Sequence, residues 1–138
     1  CNVPVISTDY YPTLLAMTGQ PARPRQHVDG RNLVPLLKQT GTVKRDALYW
    51  HYPNYIGAGH PGGARPCSVV RSGDWKLIES FETNRLELFN LKEDLGEQVN
   101  LAAKMPAKAK ALQRQLAAWR ASAKVQMPKR NPDYKPGE

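Results

Sequence analysis

The sequence predicts an α+β fold, in which a small four-stranded antiparallel sheet packs against an amphipathic helix near the C-terminus. Four strand-like segments, at 47–52, 67–71, 75–80 and 86–91, follow one another without long helices between them. This order is typical of an antiparallel sheet. Between residues 106 and 125, apolar side chains recur at spacings of three and four and form one stripe. We expect this helix to cover one face of the sheet.

The segments before the sheet predict a separate N-terminal region, 1–43. Val3 to Ile6 is expected to end a strand, a short helix should span 9–17, and a second helical segment should span 33–37. Because the sequence opens at Cys1 without Met, we interpret it as starting within a longer protein. The sheet and helix should form a subdomain at 44–126, followed by an extended tail at 127–138.

Within the predicted sheet, the connections differ in length. Residues 53–66 contain four glycines and three prolines and should form a long loop. Ser72-Gly73-Asp74 is short enough for a hairpin. The two cysteines, Cys1 and Cys67, lack metal-ligand spacing. We expect free thiols, and a disulfide between them is the alternative for an exported protein.

The formal charge of +8 is concentrated in one region of the chain. Residues 1–97 are nearly neutral, whereas 98–132 contain no acid and eight bases, Lys104, Lys108, Lys110, Arg114, Arg120, Lys124, Lys129 and Arg130. Trp119, the aromatic residue among these bases, is expected on the buried side of the helix, so we interpret the bases as a solvated helix face. We expect no nucleic-acid partner and no membrane partner. A stand-alone module that binds polyanions is the alternative.

Four segments, in order, resemble the arylsulfatase-like sulfatase family of the alkaline-phosphatase-like superfamily. They are 4–15 (PVISTDYYPTLL), 29–37 (DGRNLVPLL), 71–78 (RSGDWKLI) and 86–101 (LELFNLKEDLGEQVNL). The sequence departs from the family pattern at Leu95, where the family usually has proline after Asp94. The resemblance implies that 1–43 is the end of an α/β catalytic domain and that 44–126 is the C-terminal subdomain.

The resemblance also implies hydrolysis of a sulfate ester by a formylglycine, made from Cys or Ser in a C-x-P/A-x-R motif, beside a calcium ion. That motif and the carboxylate cluster for calcium are expected in a missing N-terminal catalytic domain, the partner of this fragment. We therefore expect no catalytic or metal-binding residue here and no activity from the fragment alone. A periplasmic or secreted parent protein is expected from the same resemblance.

Cys67 and Arg71 stand at the spacing of the nucleophile motif, but Val69 occupies the position of Pro or Ala. The motif also belongs at the start of a buried helix, whereas this stretch has the pattern of a strand. We therefore do not expect a modified nucleophile at Cys67.

Three residues are candidates for contacts with a sulfated small molecule or saccharide. His51 precedes the long loop, and His60 and Arg65 lie within it. Loops on a rigid scaffold often carry binding residues, and Arg65 suits an anionic group. The alternative for His51 is a structural role among aromatic side chains. A phosphodiesterase or phosphonate hydrolase is the alternative for the parent protein within the superfamily.

Overall fold

The chain divides into two compact units, Cys1–Asp46 and Ala47–Glu138. The computed structural model describes residues 1–56 and 65–129. The observed division lies close to the one predicted after residue 43. The assignment of the first unit to an α/β catalytic domain stays a prediction.

The first unit is helical. A 3₁₀ helix, Ser7–Asp9, leads into α1, Tyr10–Met17, and a single turn, α2, spans Val34–Leu37. Both predicted helical segments are present. The strand predicted at 3–6 is wrong, because these residues adopt no strand conformation and the unit contains no strand to pair with them. Extended backbone needs hydrogen-bond partners of that kind.

The second unit contains one antiparallel sheet with the strands in chain order. They are β1 (Leu48–Tyr52), β2 (Cys67–Ser72), β3 (Trp75–Ser80) and β4 (Leu86–Asn90). Gly73 is the first of the two residues between β2 and β3 and has a φ of 57°. Primed two-residue turns require a positive φ at that position, which glycine adopts without strain. The predicted hairpin and four-stranded sheet are therefore confirmed.

The core lies between one face of this sheet and α3, Pro106–Ala123. Val70, Leu77 and Leu88 are opposite one another in register on adjacent strands, so their side chains share one face. The core consists of these residues and three from the helix: Val70, Leu77, Leu88, Ala109, Leu112 and Leu116. The predicted packing of an amphipathic helix on the sheet is confirmed.

One aromatic contact and one ion pair hold the C-terminal half of α3 on the sheet. Trp119 stacks on Tyr49 of β1, with ring centroids 4.9 Å apart and planes 3° from parallel. Arg120 donates to the carboxylate of Glu79 on β3, and both side chains are largely buried. The helix ends at Ala123, and Lys124, which caps it, has a left-handed φ of 51°. Residues 125–129 continue without helix or strand.

Candidate functional site

His51, the first candidate for substrate binding, is half-buried on β1. Its Nδ1 lies 2.8 Å from the hydroxyl of Ser68, which is opposite it on β2, and its Nε2 lies 2.9 Å from the main-chain carbonyl of Gln126. The Phe81 ring tilts against the imidazole at a centroid distance of 5.7 Å. Since a carbonyl only accepts, the hydrogen bonds assign the proton to Nε2, and Nδ1 accepts from Ser68 in the neutral ring.

Both ring nitrogens of His51 are therefore used inside the second unit. The imidazole joins β1 to β2 and to the segment that follows α3. This geometry favours the structural alternative, since a hydrogen bond from Nε2 to a substrate would require Gln126 to move away. A substrate contact by His51 stays a prediction. No pattern in the sequence indicated Ser68 or Gln126 as partners of His51.

The other two candidates belong to the loop between β1 and β2. Arg65 is exposed, with 71% of its side chain accessible, and its Nη1 donates to Glu82 over 2.8 Å. A pair of this exposure contributes little to stability, so Arg65 can exchange partners at low cost. His60 lies outside the described residues. His51 and Arg65 have different hydrogen-bond partners, Ser68 and Gln126 for His51 and Glu82 for Arg65.

Cys67 begins a strand and not a helix, as its sequence context predicted. Its thiol is half-buried, and burial raises its pKa although the nearby charge of Lys76 acts in the opposite direction. A thiol with a raised pKa is protonated near neutral pH and is a weak nucleophile. Cys1 and Cys67 are both free. These properties are consistent with a structural cysteine at position 67.

No group of three or more His, Cys, Asp or Glu side chains with metal-binding geometry occurs in residues 1–56 and 65–129. Calcium prefers six to eight oxygen ligands, several of them carboxylates. The part of the chain that the structure describes therefore does not fit a calcium ion. In the same residues, no helix has the length and apolar character that a bilayer span needs.

A buried carboxylate organises the first unit. Asp9 is fully buried and accepts hydrogen bonds from the N–H of Ile6 (3.0 Å), the N–H of Arg31 (2.8 Å) and the guanidinium of Arg45 (2.6 Å). Burial by itself raises the pKa of Asp9, but the bonds from Arg45, Ile6 and Arg31 and the charge of Arg45 together lower it below its ordinary value. Asp9 is therefore an ionised structural group.

The turn before Arg31 approaches the first helices closely. A side chain at Gly30 would clash with the carbonyl oxygen of Thr8, so this position requires glycine. Thr13 adds a second link, since its hydroxyl donates to the carbonyl of Asp9 (2.6 Å) and accepts from the N–H of Leu33 (2.9 Å). Two of the segments that resemble the sulfatase family, 4–15 and 29–37, thus contact each other through polar bonds.

The loop after β4 is held by its own side chains. The carboxylate of Asp94 accepts from the N–H groups of Val99 (2.8 Å) and Gln98 (3.1 Å), and these bonds lower its pKa. Leu95 follows in a turn closed by the N–H of Glu97 and the carbonyl of Asp94, at 3.2 Å. The first central position of such a turn favours proline, the residue that the family usually has there.

The same loop contacts the sheet through Asn100. Its Oδ1 accepts from the N–H of Leu88 over 3.1 Å and from the N–H of Ala102 over 2.9 Å. The carboxylate of Glu97 in the same loop lies 2.7 Å from Nζ of Lys76 on β3. Glu97 has a left-handed φ of 56°, and its ion pair joins the loop to the sheet.

Comparisons with known proteins agree with this description. Residues 2–124 match the family described as N-sulphoglucosamine sulphohydrolase, C-terminal. A sulfatase of Formosa agariphila is 33% identical over 129 aligned residues, which cover 83% of this chain and 23% of that protein. The chain thus spans about a quarter of the length of this relative.

Solved structures share the fold. The structure of a 2-O GAG sulfatase has a TM-score of 0.68 at 24% identity, over 94% of this chain and 29% of that one. A structure in complex with its substrate, D-glucosamine-2-N,6-O-disulfate, has a TM-score of 0.64 at 25% identity, over 84% of this chain and 24% of that one. Since the family match includes both units and the sheet with its helix, this chain belongs to the C-terminal family of N-sulphoglucosamine sulphohydrolases, within the sulfatases.

Proposed function

We propose that this chain is the C-terminal part of an enzyme that hydrolyses sulfate esters, and that it borders the substrate cleft of that enzyme. The family match over residues 2–124 carries the proposal. The chain corresponds to 23% of the length of the Formosa sulfatase, so a protein of that length has room for a complete catalytic domain. The reactive groups belong to that domain.

Calcium and a formylglycine are the groups that the sulfatase family implies. The described residues do not fit calcium, and the Cys67 thiol lies on a strand with a raised pKa. We place both groups in the rest of the protein. Formylglycine there would supply the nucleophile, and calcium would stabilise charge on the sulfate oxygens.

The proposed substrate is a sulfated saccharide. A related structure contains D-glucosamine-2-N,6-O-disulfate as its substrate, which supports this class. In this chain, Arg65 is the described residue best suited to a sulfate group at the rim of the cleft. Its guanidinium presents several donors in one plane, and its exposed bond to Glu82 is easily exchanged. His51 and His60 remain predicted contacts.

One face of α1 supports a close association with the rest of the protein. Tyr10, Leu14 and Met17 are spaced by four and three residues, and 66%, 58% and 63% of each is exposed. Such spacing places them on one side of the helix. We propose that this apolar face packs on the catalytic domain, because a contiguous apolar patch on a protein surface often marks an interface.

The test is to compare the chain alone with the longer protein that contains it. Hydrolysis of an aryl sulfate and of an aryl phosphodiester should be measured for both, together with calorimetric titration of calcium into the chain alone. We expect the longer protein to hydrolyse the sulfate ester, and the chain alone to show no turnover and no micromolar calcium site.

Two results would contradict the proposal. Preferential hydrolysis of the phosphodiester by the longer protein would indicate the related phosphodiesterases and phosphonate hydrolases instead. Turnover or saturable micromolar calcium binding by the chain alone would show that the reactive groups are in this part.

A further inference from the structure

The outer side of α3 is basic. Some of its cationic side chains contact the sheet, and others are exposed without a carboxylate partner among the described residues. Arg120 is paired with Glu79, and Nζ of Lys108 lies over the Trp75 ring at 5.2 Å. These two side chains therefore contribute to packing. Five further cations lie on or beside the helix, at Lys104, Lys110, Arg114, Lys124 and Lys129.

These five cations are exposed, and none forms an ion pair with a carboxylate in the described parts of the chain. Residues 98–132 contain no acid that could neutralise them locally. Their positive potential is therefore directed to solvent. Potentials of this kind attract anionic ligands and raise their local concentration.

The shape of this surface suits an elongated ligand. Lys110 and Arg114 are one turn apart and about 40° apart around an ideal helix, and Lys124 lies about 20 Å further along the axis from Lys110. Apart from Ser122, the other exposed positions between Ala107 and Ala123 are alanines: Ala107, Ala111, Ala117, Ala118, Ala121 and Ala123. Short side chains leave the long cationic ones free to reach a polymer that lies along the helix.

We propose that this surface, defined by Lys110, Arg114 and Lys124, binds a sulfated polysaccharide. The inference rests on the proposed function, because a sulfated polymer presents further sulfate groups beyond the one that is hydrolysed. Binding of these groups holds the polymer on the enzyme and raises the local concentration of its esters.

Nucleic acid is a less suitable ligand for the same surface. Proteins that bind single strands interleave cations with aromatic side chains on which bases stack. The aromatic residue of α3, Trp119, is instead stacked on Tyr49 in the core. A sulfated saccharide requires cations and hydrogen-bond donors but no stacking platform, and it therefore fits the alanine and cation pattern better.

The test uses the triple variant Lys110→Gln, Arg114→Gln, Lys124→Gln. Its control is Lys38→Gln, Lys44→Gln, Lys92→Gln, which removes three exposed cations that are not part of α3. Calorimetric titration with a heparin octasaccharide at low salt should give about tenfold weaker binding for the α3 variant and less than twofold weaker binding for the control. Binding by the wild-type chain should fall as salt is added.

An equal loss in both variants, or no binding of heparin by the wild-type chain, would overturn the proposal. Equal affinity for a single-stranded DNA of the same charge would also overturn it, because the surface would then recognise charge alone. Circular dichroism of both variants checks that α3 is intact.

Kinetics of the longer protein separate this inference from the proposed function. The α3 variant should lose kcat/KM on a sulfated polysaccharide and retain it on a small aryl sulfate. Sulfatase activity that is equal for wild type and variant on both substrates would refute the binding surface and leave the enzyme assignment intact. Heparin binding without sulfatase activity would refute the enzyme assignment instead.

Discussion

The hydrogen bonds of His51 lead to a quantitative prediction for His51→Ala. The substitution removes the bond to the Gln126 carbonyl and leaves the Ser68 hydroxyl without its partner. Ser68 is fully buried, so water cannot replace the imidazole there without a rearrangement. A lost neutral hydrogen bond costs about 0.5–1.5 kcal/mol, and a buried orphan group about 1–3 kcal/mol. Because His51 is itself half-buried, we expect a total loss of about 2–3 kcal/mol in the free energy of unfolding.

Urea unfolding followed by tryptophan fluorescence measures this loss. The double variant His51→Ala, Ser68→Ala is the control, because it removes both partners and leaves no orphan hydroxyl. It should therefore be more stable than the sum of the two single effects predicts, by about 1 kcal/mol. Amide exchange should also become faster at 125–129, the segment that the imidazole holds.

Unchanged stability of His51→Ala would refute this reasoning. If the longer protein with the same substitution then lost kcat/KM on a sulfated saccharide, the contact with substrate predicted from sequence would be correct. The loss should in that case be smaller on a minimal aryl sulfate, which offers less for His51 to hold.

Three further predictions concern other parts of the chain. Asp9→Asn should destabilise the first unit by about 3–5 kcal/mol, because it leaves the buried Arg45 charge without its partner, whereas the same change at the exposed Asp29 should have little effect on urea unfolding. Since folding lowers the pKa of Asp9, its contribution is present above the ordinary value of 3.8 and is lost as the pH falls through the lower folded value; an acid titration without such a loss would contradict the assignment. Leu95→Pro should raise the free energy of unfolding by about 0.4–1 kcal/mol relative to Leu95→Ala, and a decrease would show that the N–H of Leu95 is needed. In the chain alone, amide exchange should be faster in the first unit than in the sheet, because we expect the first unit to be stabilised by a missing domain. Equal protection of the two regions in a monomer would contradict this expectation.

The sequence predicted the sheet and α3 because both depend on short-range patterns. Apolar residues recur with the helical period in α3 and with the two-residue period of a strand on either side of Gly73, and each period determines which side chains are buried. The hairpin turn then fixes the register between β2 and β3. The strand predicted at 3–6 was wrong because β-propensity depends on a partner strand, and the described first unit has none.

The polar contacts could not be predicted, because they join residues far apart in the chain. Asp9 and Arg45 are 36 residues apart, and His51 and Gln126 are 75 apart. No local pattern specifies such a pair, and each partner alone resembles an ordinary surface or loop residue. The substrate contact predicted for His51 from its position before a loop therefore did not take into account Ser68 and Gln126, its hydrogen-bond partners.

The two units differ in how completely they bury their apolar side chains and pair their buried polar groups. In the second unit, the apolar faces of the sheet and α3 cover each other, and Val70, Leu77, Leu88 and Leu116 are fully buried. In the first unit, α1 exposes an apolar face, and Nη1 of the buried Arg45 has no hydrogen-bond partner among the described residues. An unpaired buried donor is costly, as is an exposed apolar face. We therefore expect the rest of the protein to contribute both apolar side chains and a hydrogen-bond acceptor to this unit. The amides of α1 should then exchange much more slowly in the longer protein than in the chain alone, and equal exchange in the two would refute this expectation.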